Sequence, residues 1–299
     1  MKKLIFFLLF ALGISTHVDA QKTYKAYMVS NTHLDTQWLW TVQTTIDHYL
    51  YRTLTQNFWL IDHYPGYIFN FEGAVRYKWT KEYYPVEYER LKNYIKAGRW
   101  NISGSSWDST DPNIPSPESF FRNLLYGQEF FKKEFGKKSN DIFLPDCFGF
   151  GYTLPTIAAH SGIIGFSTQK LQHRKLPFYG DRKLPFMFGL WEGIDGSRIM
   201  AVPHAQDYVS RFDGQELSNN GKLIDLGKNG LNNTVYHYYG AGDRGGSPTI
   251  ASVRSVETGM KGEGPVQVIL LRSIRNCLFS RESYLWMCMR RAVIHLKQP

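Results

Sequence analysis

The chain reads as an α/β protein built on a mostly parallel sheet. Three observations point there. Short strand-like runs alternate with longer runs at helical spacing, the order that produces parallel sheets. Over 299 residues the hydrophobic share is 43% and the aromatic share 16%, enough for a sizeable core. Finally, His33, Asp35, Asp146 and Asp243 each follow a predicted strand, and sites in α/β proteins form at the carboxyl ends of strands. An open doubly wound sheet and a closed barrel both satisfy this pattern.

Residues 1–20 read as a signal peptide. Lys2 and Lys3 give the positive start, residues 4–14 the apolar core, and Val18, Asp19 and Ala20 a small-residue cleavage site. Export to a periplasm or the extracellular space is the expectation. The apolar run is too short to span a bilayer, and no other stretch is a candidate. Residues 24–30 form a strand that delivers His33 and Asp35 just past its end. Residues 37–63 have helical spacing, stopped by Pro65 and Gly66. A strand at 67–71, a helix at 86–96 closed by Gly98, and a strand at 100–103 follow, then a loop from 104 to 115.

The clearest helix covers 117–135. Ser116 can cap it, Pro117 suits its first position, and Glu118 favours the positive end of its dipole. Phe121, Leu124, Leu125, Gln128 and Phe131 mark one face, and Gly136 ends it. A short strand at 141–144 stops at Pro145 and Asp146. Then come a helix at 154–160 and strands at 163–167, 197–202 and 234–239. No GxGxxG follows the first strand, and there is no P-loop.

The formal charge is +9, and a net +5 of it sits in residues 270–299, where Arg272, Arg275, Arg281, Arg290, Arg291 and Lys297 face Glu282 alone. The rest carries no basic stripe with interleaved aromatics, which argues against nucleic acid as a partner. Cys147, Cys277 and Cys288 make no disulfide framework. His48, His63, His160, His173, His204 and His237 lack ligand spacing and read as surface or core residues.

The stretch SNTHLDTQWLW places His33 and Asp35 two residues apart. In an extended strand such residues share a face, so an imidazole and a carboxylate converge, and Zn²⁺ takes both. By itself the pair also suits a plain hydrogen-bonded contact.

Four stretches, SNTHLDTQWLW, SSWDSTDPNIPSPESFFRNLLYGQEFFKKEFG, FLPDCFGFGYTLPTI and YYGAGDRGGSPT, occur in that order between residues 24 and 268. Together they resemble glycoside hydrolase family 38, the α-mannosidases. The resemblance implies a seven-stranded, barrel-like β/α domain over 21–268. It also implies a retaining, metal-dependent hydrolase acting on terminal α-mannose of glycans. His33 and Asp35 match two Zn²⁺ ligands, for one cation per chain. Asp146 matches the nucleophile, which also touches the metal, and Asp243 the general acid/base. Trp38 matches an aromatic on which mannose packs, and Asp111 lies in a substrate-contacting loop. Retention needs two carboxyl groups about 5–5.5 Å apart across the scissile bond.

The same resemblance implies a helical bundle, β-sandwich domains and a further histidine ligand downstream. Residues 269–299 match none of these and form an unassigned basic tail. The expectation is a truncated product with a weakened metal site and weak or absent turnover. Two other readings are a metal-dependent carbohydrate deacetylase and a non-catalytic mannoside-binding remnant. The first is disfavoured because the chain has no His-x-x-x-His. Oligomer formation is left open.

Overall fold

The structure is a computed structural model that describes residues 23–171 and 186–271, with the backbone alone of three short strands beyond them. Residues 1–20, read above as a signal peptide, most of the basic tail, His173, His295, Cys277 and Cys288 lie outside the described residues.

The organising strand is β1 (Tyr24–Thr32). Ala26 and Met28 face one side and Tyr27 and Val29 the other, and all four are buried. A strand covered on both faces reads as a continuous apolar run, which is why alternation in it is faint. Its parallel partner β10 (Thr234–Ala241) runs beside it from Lys25–Thr234 to Thr32–Ala241. β11 (Val266–Leu270) pairs with its first half, and β2 (Phe69–Glu72) joins at Asn31–Asn70. β3 (Trp100–Ser103) extends this sheet beside β2.

A second five-stranded sheet contains β4 (Asp141–Phe143), β5 (Gly165–Ser167), β8 (Gly189–Glu192), β9 (Arg198–Val202) and β12 (Val293–Ile294), in the order β12-β8-β9-β5-β4. Only β8 and β9 are antiparallel there. β6 (Arg174–Leu176) and β7 (Gly180–Arg182) form a separate hairpin. Among the described residues the strands therefore make two five-stranded sheets and this hairpin, not one hydrogen-bonded ring of seven. Between the two sheets lies an apolar layer of Tyr27, Val29, Phe143, Met200, Val202, Tyr236 and Tyr238. The Ser103 hydroxyl donates to Asp141 Oδ2 at 2.5 Å and ties β3 to β4.

Helices cover the outer faces. α1 (Val42–Thr44) runs through a π-helical stretch, Thr45–Leu50, into α2 (Tyr51–His63). α2, α3 (Ala74–Tyr83) and α4 (Pro85–Lys96) pack on the first sheet through Leu54, Phe58, Tyr77 and Leu91. α5 (Pro117–Phe135) and α6 (Leu154–His160) cover the second through Phe120, Leu124 and Leu154. α7 (Gly221–Lys228) and α8 (Ile250–Lys261) flank β10 and β11, and no described helix is long and apolar enough to cross a membrane.

Three differences from the sequence reading have physical causes. The helix expected from residue 37 starts at Val42, because Thr45 Oγ1 donates to the Thr36 carbonyl at 2.9 Å and holds residues 33–41 as a loop. α3 was not anticipated, since its buried face includes Arg76 and Thr80 and so lacks an apolar stripe. α5 is capped as expected, with Ser116 Oγ accepting from the Ser119 amide at 3.2 Å and Gly136 at φ 67°. Its buried stripe is rotated, however: Phe120 and Gly127 face inward while Phe121 and Leu125 are exposed.

Candidate active site

The candidate site lies past the carboxyl ends of β1, β2, β4, β5 and β10. The pairing of β1 with β10 persists beyond the strands. The His33 amide donates to the Ala241 carbonyl at 3.0 Å, and the Asp35 amide to the Asp243 carbonyl at 2.8 Å. Leu34 and Arg244 form an antiparallel bridge. Residues 33–35 are thereby fixed against residues 241–244. Asp243 has φ 54°, a left-handed conformation that Asp tolerates better than most residues.

His33 is buried between two carboxylates. Its Nδ1 meets Glu72 Oε1 at 3.1 Å and its Nε2 meets Asp35 Oδ1 at 3.2 Å. Burial alone lowers the imidazole pKa, but hydrogen bonds and charge from Asp35 and Glu72 outweigh it and push it up to about 9. Glu72 is held by the Ser109 hydroxyl at 3.0 Å.

A divalent cation sets definite distances on such a donor set. Two donors at 2.0–2.1 Å from tetrahedral Zn²⁺ stand about 3.3 Å apart. The His33 Nε2–Asp35 Oδ1 separation of 3.2 Å suits two such positions. The carboxylate on Nδ1 is the usual support of a metal-bound imidazole. Asp146 does not join them: its Oδ1 is ion-paired with Lys170 Nζ, and among the described residues no three His, Cys, Asp or Glu side chains gather as a cage. Two donors fall short of the three protein ligands that a catalytic Zn²⁺ site takes, so the described residues as they stand do not make one, and Asp146 is held by an ammonium group.

Asp243 accepts a hydrogen bond from the Tyr208 hydroxyl at 2.8 Å. Burial first, then the bond to Asp243 and the charge of Asp146, push the Tyr208 phenol well above its ordinary range, so it stays a donor. The Tyr208 ring also lies 5.4 Å from the His33 ring, and its amide donates to Gln169 Oε1 at 2.7 Å, next to Lys170. Tyr208 thus touches the surroundings of both carboxylates.

Trp38 is 62% exposed, with its ring edge-on to Trp40 at 5.9 Å. Asp111 caps its own turn, accepting from the Asn113 amide at 2.8 Å. Cys147 donates to the Thr110 carbonyl at 3.2 Å, and burial pushes its thiol pKa up, which removes it as a nucleophile. Glu72, Lys170, Tyr208, Arg76 and Asp108 were not anticipated. Glu72 had a signal, since it directly follows the strand expected at 67–71 and ends the observed β2; the others are brought in by tertiary contacts that no local pattern announces.

Residues 23–273 match the family model described as glycosyl hydrolases family 38 N-terminal domain. Alpha-mannosidase G of Dictyostelium discoideum is 40% identical over 243 residues, covering 80% of this chain and 21% of that protein. Human alpha-mannosidase 2C1 is 33% identical over 233 residues, covering 77% and 21%. Among solved structures, an alpha-mannosidase from Enterococcus faecalis V583 superposes with a TM-score of 0.63 at 18% identity, covering 89% of this chain and 29% of that one. The chain spans about a fifth of the length of the curated relatives it matches. It belongs to glycosyl hydrolase family 38, through the N-terminal domain of that family.

Proposed function

We propose that this site hydrolyses terminal α-mannosides of glycans with retention of configuration, in an exported protein whose sheets form the family's barrel-like catalytic domain. The observation that carries the reading is the backbone link between Asp35 and Asp243, 2.8 Å from amide to carbonyl, which sets the candidate metal ligands directly beside the candidate acid/base.

Asp146 attacks the anomeric carbon as the glycosidic bond breaks, and Asp243 gives its proton to the departing oxygen. Asp243 then takes a proton from water, whose oxygen displaces Asp146 and releases mannose. Lys170 orients one Asp146 oxygen and balances its charge. Tyr208 fixes the Asp243 carboxyl from the other side. Trp38 offers an exposed apolar face to the sugar's C–H groups, and Asp111 lies on the loop that lines the approach. The family resemblance makes His33, Asp35 and Asp146 the residues that would hold a single Zn²⁺, which would require Asp146 to leave its ion pair with Lys170. When bound, that cation supplies Lewis-acid contacts to sugar hydroxyls.

The test is hydrolysis of aryl α-mannosides by the purified, zinc-supplemented chain. Asp146→Ala is expected to remove turnover. Asp243→Asn is expected to spare only the first step on a dinitrophenyl mannoside, whose leaving group needs no proton, giving a burst of dinitrophenol followed by slow release of mannose, and to stop an alkyl mannoside. Equal turnover by Asp146→Ala and the parent would overturn the assignment.

A further inference from the structure

The loop that carries Asp243 leaves β10 and is held peptide by peptide against α2. Arg52 Nη2 donates to the Arg244 carbonyl at 2.7 Å and to the Gly245 carbonyl at 3.3 Å. The Gly246 amide donates to Thr53 Oγ1 at 2.8 Å, and Asn57 Nδ2 donates to the Gly246 carbonyl at 2.8 Å. On the opposite side the Gly245 amide donates to the His33 carbonyl, and the Asp243 carbonyl accepts from the Asp35 amide. The backbone that follows Asp243 is therefore pinned between one helix and the end of β1.

The helix side of this grip is costly to build. Thr53 and Asn57 lie among Leu54, Phe58 and Ile61 on the buried face of α2, and both are fully buried. Such faces normally carry apolar residues, and a buried amide or hydroxyl is unfavourable unless its hydrogen bonds are made. Here they are made. Thr53 Oγ1 donates to the Tyr49 carbonyl at 2.7 Å while accepting from Gly246. Asn57 Nδ2 also donates to the Thr53 carbonyl at 2.7 Å, and Asn57 Oδ1 accepts from the Tyr67 hydroxyl at 2.7 Å. Carbonyls on one side of the amide and a hydroxyl on the other fix its orientation. Gly245, at φ 69°, permits the close approach, since a Cβ there would lie 2.3 Å from Thr53 Oγ1.

Asp243 needs such support. Its φ of 54° is a left-handed conformation that costs a non-glycine residue about 1–3 kcal/mol and persists only where the surroundings over-determine it. That backbone conformation sets where the carboxyl points, and the Tyr208 hydroxyl meets it there at 2.8 Å. Releasing the 245–246 peptides would let Asp243 relax and turn its carboxyl away.

We propose that Thr53 and Asn57 are positioning residues for proton transfer by Asp243, fastening the 245–246 backbone so that this carboxyl stays aimed at the departing oxygen. The proposal rests on the reading of Asp243 as the acid/base. Both side chains act through the backbone and touch no substrate.

The experiment compares kcat/KM of the purified, zinc-supplemented chain on an alkyl mannoside, whose departing oxygen needs a proton, and on a dinitrophenyl mannoside, whose leaving group does not. Melting temperatures establish that each variant is folded during the assay. The variants are Thr53→Val and Asn57→Leu, which keep the shape and remove the hydrogen bonds, Thr53→Ser, which restores the hydroxyl, and Asp243→Asn as the control. A positioned general acid contributes about 10²–10⁴-fold, so Thr53→Val and Asn57→Leu are expected to lower the alkyl value about tenfold or more while the dinitrophenyl value stays near the parent's. Thr53→Ser should keep the parental ratio. Loss of folded protein lowers both substrates alike, so the ratio isolates positioning. If Asp243→Asn lowers both alike, or the parent cleaves neither, the acid/base reading falls and the proposal with it. If Asp243→Asn separates the two substrates while Thr53→Val and Asn57→Leu keep the parental ratio, positioning alone is overturned. Should Asn57→Leu fail to fold, Thr53→Val decides.

Discussion

Asp35 and Asp243, more than two hundred residues apart in the chain, are joined backbone to backbone, the Asp35 amide donating to the Asp243 carbonyl at 2.8 Å. The contact continues the β1–β10 ladder past both strands, and the Gly245 amide adds a bond to the His33 carbonyl at 3.3 Å. A displacement on either side therefore moves groups on the other, which makes the residues around this joint sensitive to small changes in volume.

Gly242 is the sharpest case. A Cβ at this position would lie 1.8 Å from Tyr208 Cε2, inside the ring that reaches Asp243. Gly242→Ala must push Tyr208 off its hydrogen bond or bend the β10 end. Overpacking of this kind costs about 1–3 kcal/mol. The variant should melt at a lower temperature and lose most turnover of alkyl mannosides. Parental values for both would show that the ring has room to move.

Gly127 poses a competition between two effects. In the middle of a helix, Gly→Ala gains about 1 kcal/mol of propensity. Here α5 lies directly on the backbone of the 104–111 loop, and a Cβ would stand 2.3 Å from the Ser106 carbonyl carbon and 2.5 Å from the Ser105 oxygen. Backbone cannot step aside as a flexible side chain can. The clash is expected to win, with Gly127→Ala destabilising by about 1–3 kcal/mol. Urea denaturation of the variant and parent checks the sign.

Legibility in the sequence tracked how local each signal was. α5 was readable because its start and stop chemistry sits at Ser116, Pro117 and Gly136, within the helix itself. β1 was readable because a run of small and apolar residues ends in His33 and Asp35. α3 was hidden for the opposite reason: Arg76 is buried there only because Leu34 and Asp108, far away in sequence, accept its donors. In the site, the motif residues on strand ends were found, whereas Lys170 and Tyr208 come from connecting segments whose composition resembles any polar loop. The expectation that Asp146 shares a ligand sphere with His33 and Asp35 came from the family resemblance, and in the structure a lysine holds that carboxylate.

Lys170 is expected to matter through Asp146. Its ammonium group pairs with Asp146 Oδ1 and lies 4.8 Å above the Phe148 ring, so it is anchored on two sides. Lys170→Met keeps the stem and removes the charge. Steady-state kinetics on an aryl mannoside should show kcat falling about tenfold or more, with KM changed less, as for an interaction made to the reacting group. A rise in KM at constant kcat would instead make Lys170 a substrate contact.

His237 provides the pH prediction. It lies fully buried on β10, its Nδ1 donating to the Tyr238 carbonyl at 2.6 Å and its ring against Phe212 at 5.0 Å. Burial, ahead of the opposing backbone hydrogen bond, lowers its pKa to about 3. The unfolded chain binds this proton near the ordinary histidine value of about 6.5, while the folded chain refuses it until far lower pH. The contribution is therefore complete above about pH 6.5 and drains away as pH falls toward 3, reaching a loss of about 2 kcal/mol at pH 5. Urea midpoints at pH 7.5, 6 and 5 should fall for the parent and fall less steeply for His237→Phe, which has no proton to bind. Other groups titrate alike in both proteins, so the difference between the two slopes isolates this residue. Parallel slopes would show that the buried ring accepts its proton without unfolding the strand.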